Sequence, residues 1–206
     1  MGGLADCGGR RAVTGRDDLT SAVASVARTL DAFRVPYFVT GSLAASTHAE
    51  FRATNDIDIV ADFSAVDLRA LMREFDTEFH ADVEQAVSCI REGQSFNLIH
   101  RVSFLKVDFF PAVSAFNRIA IERAESVVLG TDGPAVRVAS REDILLAKLH
   151  WYRLGDESSE LQRRDITGIV ALNRDLFDRA YLRHWAGKLG VQDLLDRLLG
   201  SGPDRT

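Results

Sequence analysis

From Asp17 to Phe33 the apolar residues Leu19, Val23, Val26, Leu30 and Phe33 recur every three or four positions. That period predicts an amphipathic helix, and Pro36 stops it. Tyr37-Phe38-Val39 then reads as a short buried strand running into Gly41. A helix over 42–51, a strand from Asp56 to Val60 and a helix from Ser64 to Phe75 follow, and Asp82 to Arg91 is helical in pattern. Ser95–His100 and Val102–Phe110 are rich in β-formers and predict an antiparallel pair turning near Arg101. After Pro111 comes a loop, then a β-like piece at Val136-Arg137-Val138. Ser140-x-x-Asp143 reads as a capping box opening a helix to about Leu154. Further helices are expected over 157–172, 176–188 and 191–199. The predicted class is α+β, a small mixed β-sheet core with helices followed by a helical C-terminal part. Residues 1–15 read as a flexible tail, 16–112 as the core, and 113–206 as a mainly helical part completing a cleft.

Composition narrows the field without choosing a function. At 206 residues, 46% hydrophobic and 27% charged, the chain has the make-up of a soluble protein with a packed core. No apolar run reaches membrane-spanning length, and Met1–Gly15 lacks the apolar stretch of a secretory signal. Cys7 and Cys89 form neither a metal-binding nor a disulfide framework, so a reduced, cytoplasmic protein with no membrane partner is expected. A net charge of −5 argues against broad nucleic-acid binding. The stretch 141–188, with Arg153, Arg163 and Arg164, is nevertheless close to neutral. Of 25 basic residues only Lys106, Lys148 and Lys188 are lysines, which draws attention to each.

Chemistry gathers around one spacing. Gly41-Ser42 opens a predicted helix and offers backbone N–H groups and a hydroxyl to a phosphate. On the next strand Asp56 and Asp58 share one face, about 6–7 Å apart along it. That separation suits two divalent ions about 3.5–4 Å apart, as used for in-line displacement at phosphorus. On the strand 104–110, Lys106 and Asp108 share a face opposite Leu105, Val107 and Phe109. Asp108 reads either as the local partner of Lys106 or, preferably, as a third metal-binding acid able to help deprotonate a hydroxyl. Lys148 falls among Ile144, Leu145, Leu149 and Tyr152, and Asp165 among Leu161, Ile169 and Leu172. Two charges inside apolar arcs imply a buried ion pair or a shared site in which Lys148 meets a triphosphate. Arg52 and Thr54 either contact phosphate or hold their loop. The five histidines show no metal-ligand spacing.

Gly41-Ser42, Asp56-x-Asp58 and the later Asp108 resemble the mark of the DNA polymerase β-type nucleotidyltransferase superfamily. Within it, the set extended by Lys106-x-Asp108, Lys148 and Asp165 resembles the AbiEii-type nucleotidyltransferase toxins of bacterial toxin–antitoxin systems. The resemblance spans about residues 36–172. It implies a nucleoside triphosphate (NTP) substrate, two Mg2+ ions on Asp56, Asp58 and Asp108, and phosphate binding by Gly41, Ser42 and Lys106, to which the loop residue Arg52 is added as a candidate from its position before Asp56. It further implies RNA, specifically tRNA, as acceptor, and a cognate antitoxin as partner. Transfer to a small hydroxylated molecule such as an antibiotic, or an idle nucleotide- or antitoxin-binding module, are the alternatives. For any active version the three acids are expected to converge on a cleft at the sheet edge, and an RNA acceptor adds a rim of Arg153, Arg163 and Arg164.

Overall fold

A computed structural model describes residues 15–48, 56–129 and 135–200. The first helix, α1 (Gly15–Ala32), buries Leu19, Val23, Val26 and Leu30 on the predicted stripe. It leads to β1 (Tyr37–Thr40), from which α2 (Gly41–His48) starts without a linker. Next come β2 (Asp56–Ala61), α3 (Leu68–Phe75), β3 (Phe79–His80), α4 (Val83–Arg91), β4 (Phe96–His100) and β5 (Lys106–Pro111). Then follow α5 (Ala115–Arg123), β6 (Glu125–Val128), β7 (Ala135–Val138), α6 (Arg141–Leu154), α7 (Glu160–Asn173), α8 (Arg179–Leu189) and α9 (Gln192–Leu199). The α+β class is as expected, a mixed sheet with helices and then a helical region.

The strands form one seven-stranded sheet in the order β3-β4-β5-β2-β1-β7-β6. The pairs β2–β5 and β1–β7 are parallel, and the remaining neighbours are antiparallel. One sheet face carries Ile57, Ile59, Val107 and Phe109, all buried. An aromatic cluster forms on that side, with the Phe96 and Phe109 rings stacked at 5.0 Å and Phe75 tilted against Phe109 at 5.5 Å. This continuous apolar face is the main driving force of the fold and leaves the opposite face of β2 and β5 to carry polar side chains.

Several boundaries differ from the periodicity. The helix expected from Ser64 begins at Leu68, because the Asp67 carboxylate accepts the Arg69 and Ala70 N–H groups and caps it there. The strand expected from Val102 begins at Lys106. Residues 101–105 form the turn, with Phe104 in the left-handed region at φ 57° and Arg101 held by Asp76 at 2.6 Å. The stretch read as loop after Pro111 holds α5, whose cap Ser114 accepts from the Asn117 N–H, and also β6. The helix expected from 157 starts at Glu160 after the cap Ser159. Arg52 and Thr54 lie outside the described residues, as does Cys7.

Candidate active site

Strand register assembles the site. Asp56 is opposite Lys106, Asp58 opposite Asp108, and Thr40 opposite Asp58. Register partners in neighbouring strands point to the same side, so Asp56, Asp58, Lys106 and Asp108 share one sheet face. One step further along the strands, about 6–7 Å away, Phe38, Val60 and Phe110 form the next row on that face. The acids therefore sit on the central strands β2 and β5 and not at a sheet edge as expected. The reason is that β2 and β5, far apart in sequence, pair in parallel in mid-sheet.

Gly41 brings the chain hard against this row. It adopts φ +69°, and a Cβ placed on it would lie 1.8 Å from Asp58 Oδ2. Only a glycine fits that approach, which lets backbone come within contact of the carboxylate. Ser42 follows in the first turn of α2. Asn173, buried on α7, donates to the carbonyl oxygen of His48 at 2.7 Å and so ties α2 to the C-terminal helices.

Lys106 Nζ donates to Asp108 Oδ1 at 2.8 Å, which realises the local pairing of these two. The hydrogen bond to Asp108, aided by the charges of Asp108, Asp56 and Asp58, holds the Lys106 ammonium above its ordinary pKa. Burial, then repulsion from Asp108 and Asp56, pushes the Asp58 carboxyl up from 3.8 to about 6, against the opposing pull of Lys148 and Lys106. Lys148, 5% exposed, donates to Asp165 Oδ2 at 2.7 Å and to Gln162 Oε1 at 3.4 Å. The pair predicted from two apolar arcs thus forms between α6 and α7 at the cleft.

Of these charged groups Asp58 and Lys148 open onto a cavity of about 500 Å3, whose lining does not include Asp56, Lys106, Asp108 or Asp165. Gly41, Ser42, Asp58 and Lys148 line its polar end. Phe38, Val60 and Phe110 form its floor, and Phe116 and Asn117 of α5 face Ile144, Ala147, His150 and Trp151 of α6. Local sequence patterns disclose little of this second half. Phe116 and Asn117 lie on the unexpected α5, and Asp143 reads from sequence only as part of the cap. Ser140 Oγ accepts from the Asp143 N–H at 3.2 Å and donates to Asp143 Oδ2 at 2.6 Å. The other Asp143 oxygen accepts from Tyr181 Oη at 2.5 Å. Burial raises the pKa of this carboxyl. The Arg123 guanidinium lies over the Tyr181 ring at 3.8 Å and pairs with Glu142 at 3.0 Å, closing a polar network under the cavity wall.

None of the three arginines expected at the rim lines this cavity. Arg153 pairs with Glu157 at 3.1 Å and Asp193 at 2.5 Å, and Arg163 pairs with Glu160 at 2.6 Å. Arg163 and Arg164 line a separate shallow depression along α7. Among the described residues no group of three His, Cys, Asp or Glu side chains stands ready to hold a metal ion. Asp108 is turned to Lys106 instead. The residues nonetheless fit a divalent ion: all the donors on the acid face are hard carboxylate oxygens, and a cationic ammonium already sits among them. No helix of the described residues is long and apolar enough to cross a membrane.

No protein-family model matches the sequence, and no curated protein matches it significantly. Solved structures do resemble it. An antigenic nucleotidyltransferase-like protein from Paracoccidioides brasiliensis superposes with a TM-score of 0.54 at 19% identity, over 89% of this chain and 92% of that one. The antibiotic-resistance factor ANT(2″)-Ia in complex with adenylyl-2″-tobramycin reaches 0.48 at 14% identity, over 87% and 97%. The lincosamide antibiotic adenylyltransferase LnuA, lincomycin-bound, reaches 0.45 at 14%, over 71% and 93%. At such identities the likeness concerns the fold alone, shared with a nucleotidyltransferase-like protein. None of it is specific to the AbiEii-type toxins.

Proposed function

We propose that this chain is a Mg2+-dependent nucleotidyltransferase that moves a nucleoside monophosphate from an NTP to a hydroxyl of a small organic acceptor. The observation carrying this reading is a cavity whose polar end holds Gly41, Ser42, Asp58 and Lys148 and whose other walls are largely aromatic and aliphatic. Its volume, about 500 Å3, lies within the range of small-ligand sites. The nucleotidyltransferase fold supports the reaction class.

In this reading Gly41 and Ser42 take the β- and γ-phosphates with backbone N–H and hydroxyl. Asp56, Asp58 and Asp108 would hold Mg2+. When bound, the ion would spread the charge of the phosphoryl oxygens during in-line displacement. Asp108 accepts the proton of the attacking hydroxyl. Lys148, held in place by Asp165, supplies positive charge toward the departing pyrophosphate, and Lys106 and Arg52 complete the countercharge.

A tRNA acceptor, with the toxin role and cognate antitoxin that the motif resemblance implies, calls for available cations along the cleft. Arg153 and Arg163 pair with carboxylates and none of Arg153, Arg163 and Arg164 lines the cavity, which favours a small acceptor over RNA. The test incubates the protein and Mg2+ with each α-labelled NTP and, separately, total RNA, total protein and a panel of hydroxylated small molecules. Label on a small molecule, lost in Asp58→Ala, supports the proposal. Label on tRNA would favour the toxin reading instead, and no label on any acceptor with any NTP would overturn nucleotidyl transfer itself.

A further inference from the structure

We infer that Lys106 is a tethered stand-in for the metal, an ammonium that neutralises the acid face in the metal-free protein and is displaced when a divalent ion enters. The inference rests on the metal-binding reading of Asp56, Asp58 and Asp108 given above. Three observations carry it. Lys106 Nζ lies 2.8 Å from Asp108 Oδ1, so one of the metal's oxygens is already committed to a cation. Lys106 stands opposite Asp56 across the β2–β5 register, one step from the Asp58–Asp108 pair, so its four-carbon stem is anchored inside the acid face. Its side chain is 44% exposed, which lets it swing into water without disturbing the core.

Lys148 provides the contrast. It is the other lysine at the site, but its side chain is only 6% exposed and its partner Asp165 only 13%. A buried ammonium on a buried carboxylate stays where it is, whereas an exposed one is free to leave. Lys148 is thus the fixed cation of the site and Lys106 the exchangeable one. An oxygen that accepts from an ammonium at 2.8 Å faces a second cation at about 2.0–2.1 Å only against strong repulsion, so the two ions compete for Asp108. Once displaced, Lys106 remains tethered on the acid face opposite Asp56 and one step from Asp58, where a triphosphate held at Gly41 and Ser42 would offer it new oxygens. Metal and nucleotide binding are then coupled through one side chain: the metal frees Lys106, and the nucleotide takes up the freed ammonium.

The test titrates Mn2+ alone, without nucleotide, and counts free Mn2+ by electron paramagnetic resonance for wild type, Lys106→Met, Lys106→Arg and Asp58→Ala. Removing the competing ammonium should tighten Mn2+ binding about three- to tenfold in Lys106→Met. Lys106→Arg, which keeps a cation on the tether, should stay as weak as wild type. The metal-free Lys106→Met protein should also melt lower than wild type and gain more from saturating Mn2+. Lys106→Gln serves for the same two measurements if the methionine variant folds poorly. Unchanged or weaker Mn2+ binding in Lys106→Met and Lys106→Gln, with binding lost in Asp58→Ala, overturns the stand-in role while leaving the metal site intact. Absence of Mn2+ binding in every protein, wild type included, overturns both.

Discussion

Replacing Gly41 by alanine tests whether the close approach of backbone to carboxylate is the feature that positions Asp58. Two costs are expected. At φ +69° an alanine strains the backbone by about 1–2 kcal/mol. Its Cβ would also fall 1.8 Å from Asp58 Oδ2 and 2.7 Å from Cγ, distances that no side chain tolerates, and a tight 3.0 Å from Cβ. Asp58 must rotate away, adding roughly 1–2 kcal/mol of off-rotamer and packing cost. The sum is about 2–4 kcal/mol, measured by urea denaturation of the metal-free protein. A double-mutant cycle separates the parts. In an Asp58→Ala background the two shortest contacts vanish and only the Cβ contact at 3.0 Å remains, so Gly41→Ala should cost little beyond the backbone strain. A coupling of about 1–2 kcal/mol is expected. Additive costs, within about 0.5 kcal/mol, would refute the proposed contact and leave Gly41 as an ordinary turn glycine. Because the displaced carboxylate no longer faces the cavity, Gly41→Ala should also abolish Mn2+ binding at stabilities where the protein remains folded.

The remaining predictions are read from the same kinds of experiment. Asp58 has its carboxyl raised from 3.8 to about 6, so the folded, metal-free protein holds a proton that the unfolded chain gives up between those values; its stabilising contribution is full below about pH 4 and lost as pH rises through 6. Asp58→Asn should therefore stabilise the metal-free protein at pH 7.5 by at most about 3 kcal/mol and have little effect at pH 4, as followed by urea denaturation. Lys148→Met leaves Asp165 buried without its cation and should cost about 3–5 kcal/mol, most of it recovered in Lys148→Met/Asp165→Leu; full transfer activity in that double mutant would show the pair to be structural only. Tyr181→Phe removes the hydroxyl that donates to buried Asp143 at 2.5 Å and should destabilise by about 1.5–3 kcal/mol, whereas a loss below about 0.5 kcal/mol would mean the carboxyl is neutral in the fold.

Local periodicity is enough to assign residues to faces but not to bring the faces together. Alternation puts Asp56 with Asp58 and Lys106 with Asp108, and helical period puts Lys148 and Asp165 inside apolar arcs. Each of those assignments depends only on neighbours in sequence. That β2 lies beside β5 in parallel, in a register pairing Asp58 with Asp108, depends on packing over some fifty residues, and no local signal carries it. The missed elements have physical reasons as well. β6 is an edge strand with Glu125, Ser126 and Val128 exposed, so no alternation marks it. α5 is only nine residues long with Phe116 and Ala120 buried, too few positions to establish a period. The arginines mislead for a related reason: Arg153 finds Asp193 forty residues away, and only the fold reveals that its charge is already paired.

One structural step links the two halves of the proposed reaction. Moving two residues along β1, β2 and β5 changes the face from Thr40, Asp58 and Asp108 to Phe38, Val60 and Phe110. A polar row able to carry ions thus adjoins an apolar row able to exclude water, and no loop intervenes to blur the border. Charges at such a border feel a lower dielectric than at an open surface, which raises Asp58 in the metal-free protein and strengthens any cation bound there. In the proposed reaction the same border would set the acceptor's geometry: a molecule seated on Phe38, Val60 and Phe110 would present its hydroxyl toward the Asp58–Asp108 row from one register step away, about 6–7 Å. A long, charged polymer gains nothing from that floor, whereas a compact molecule with one apolar side and one hydroxylated side matches both rows at once.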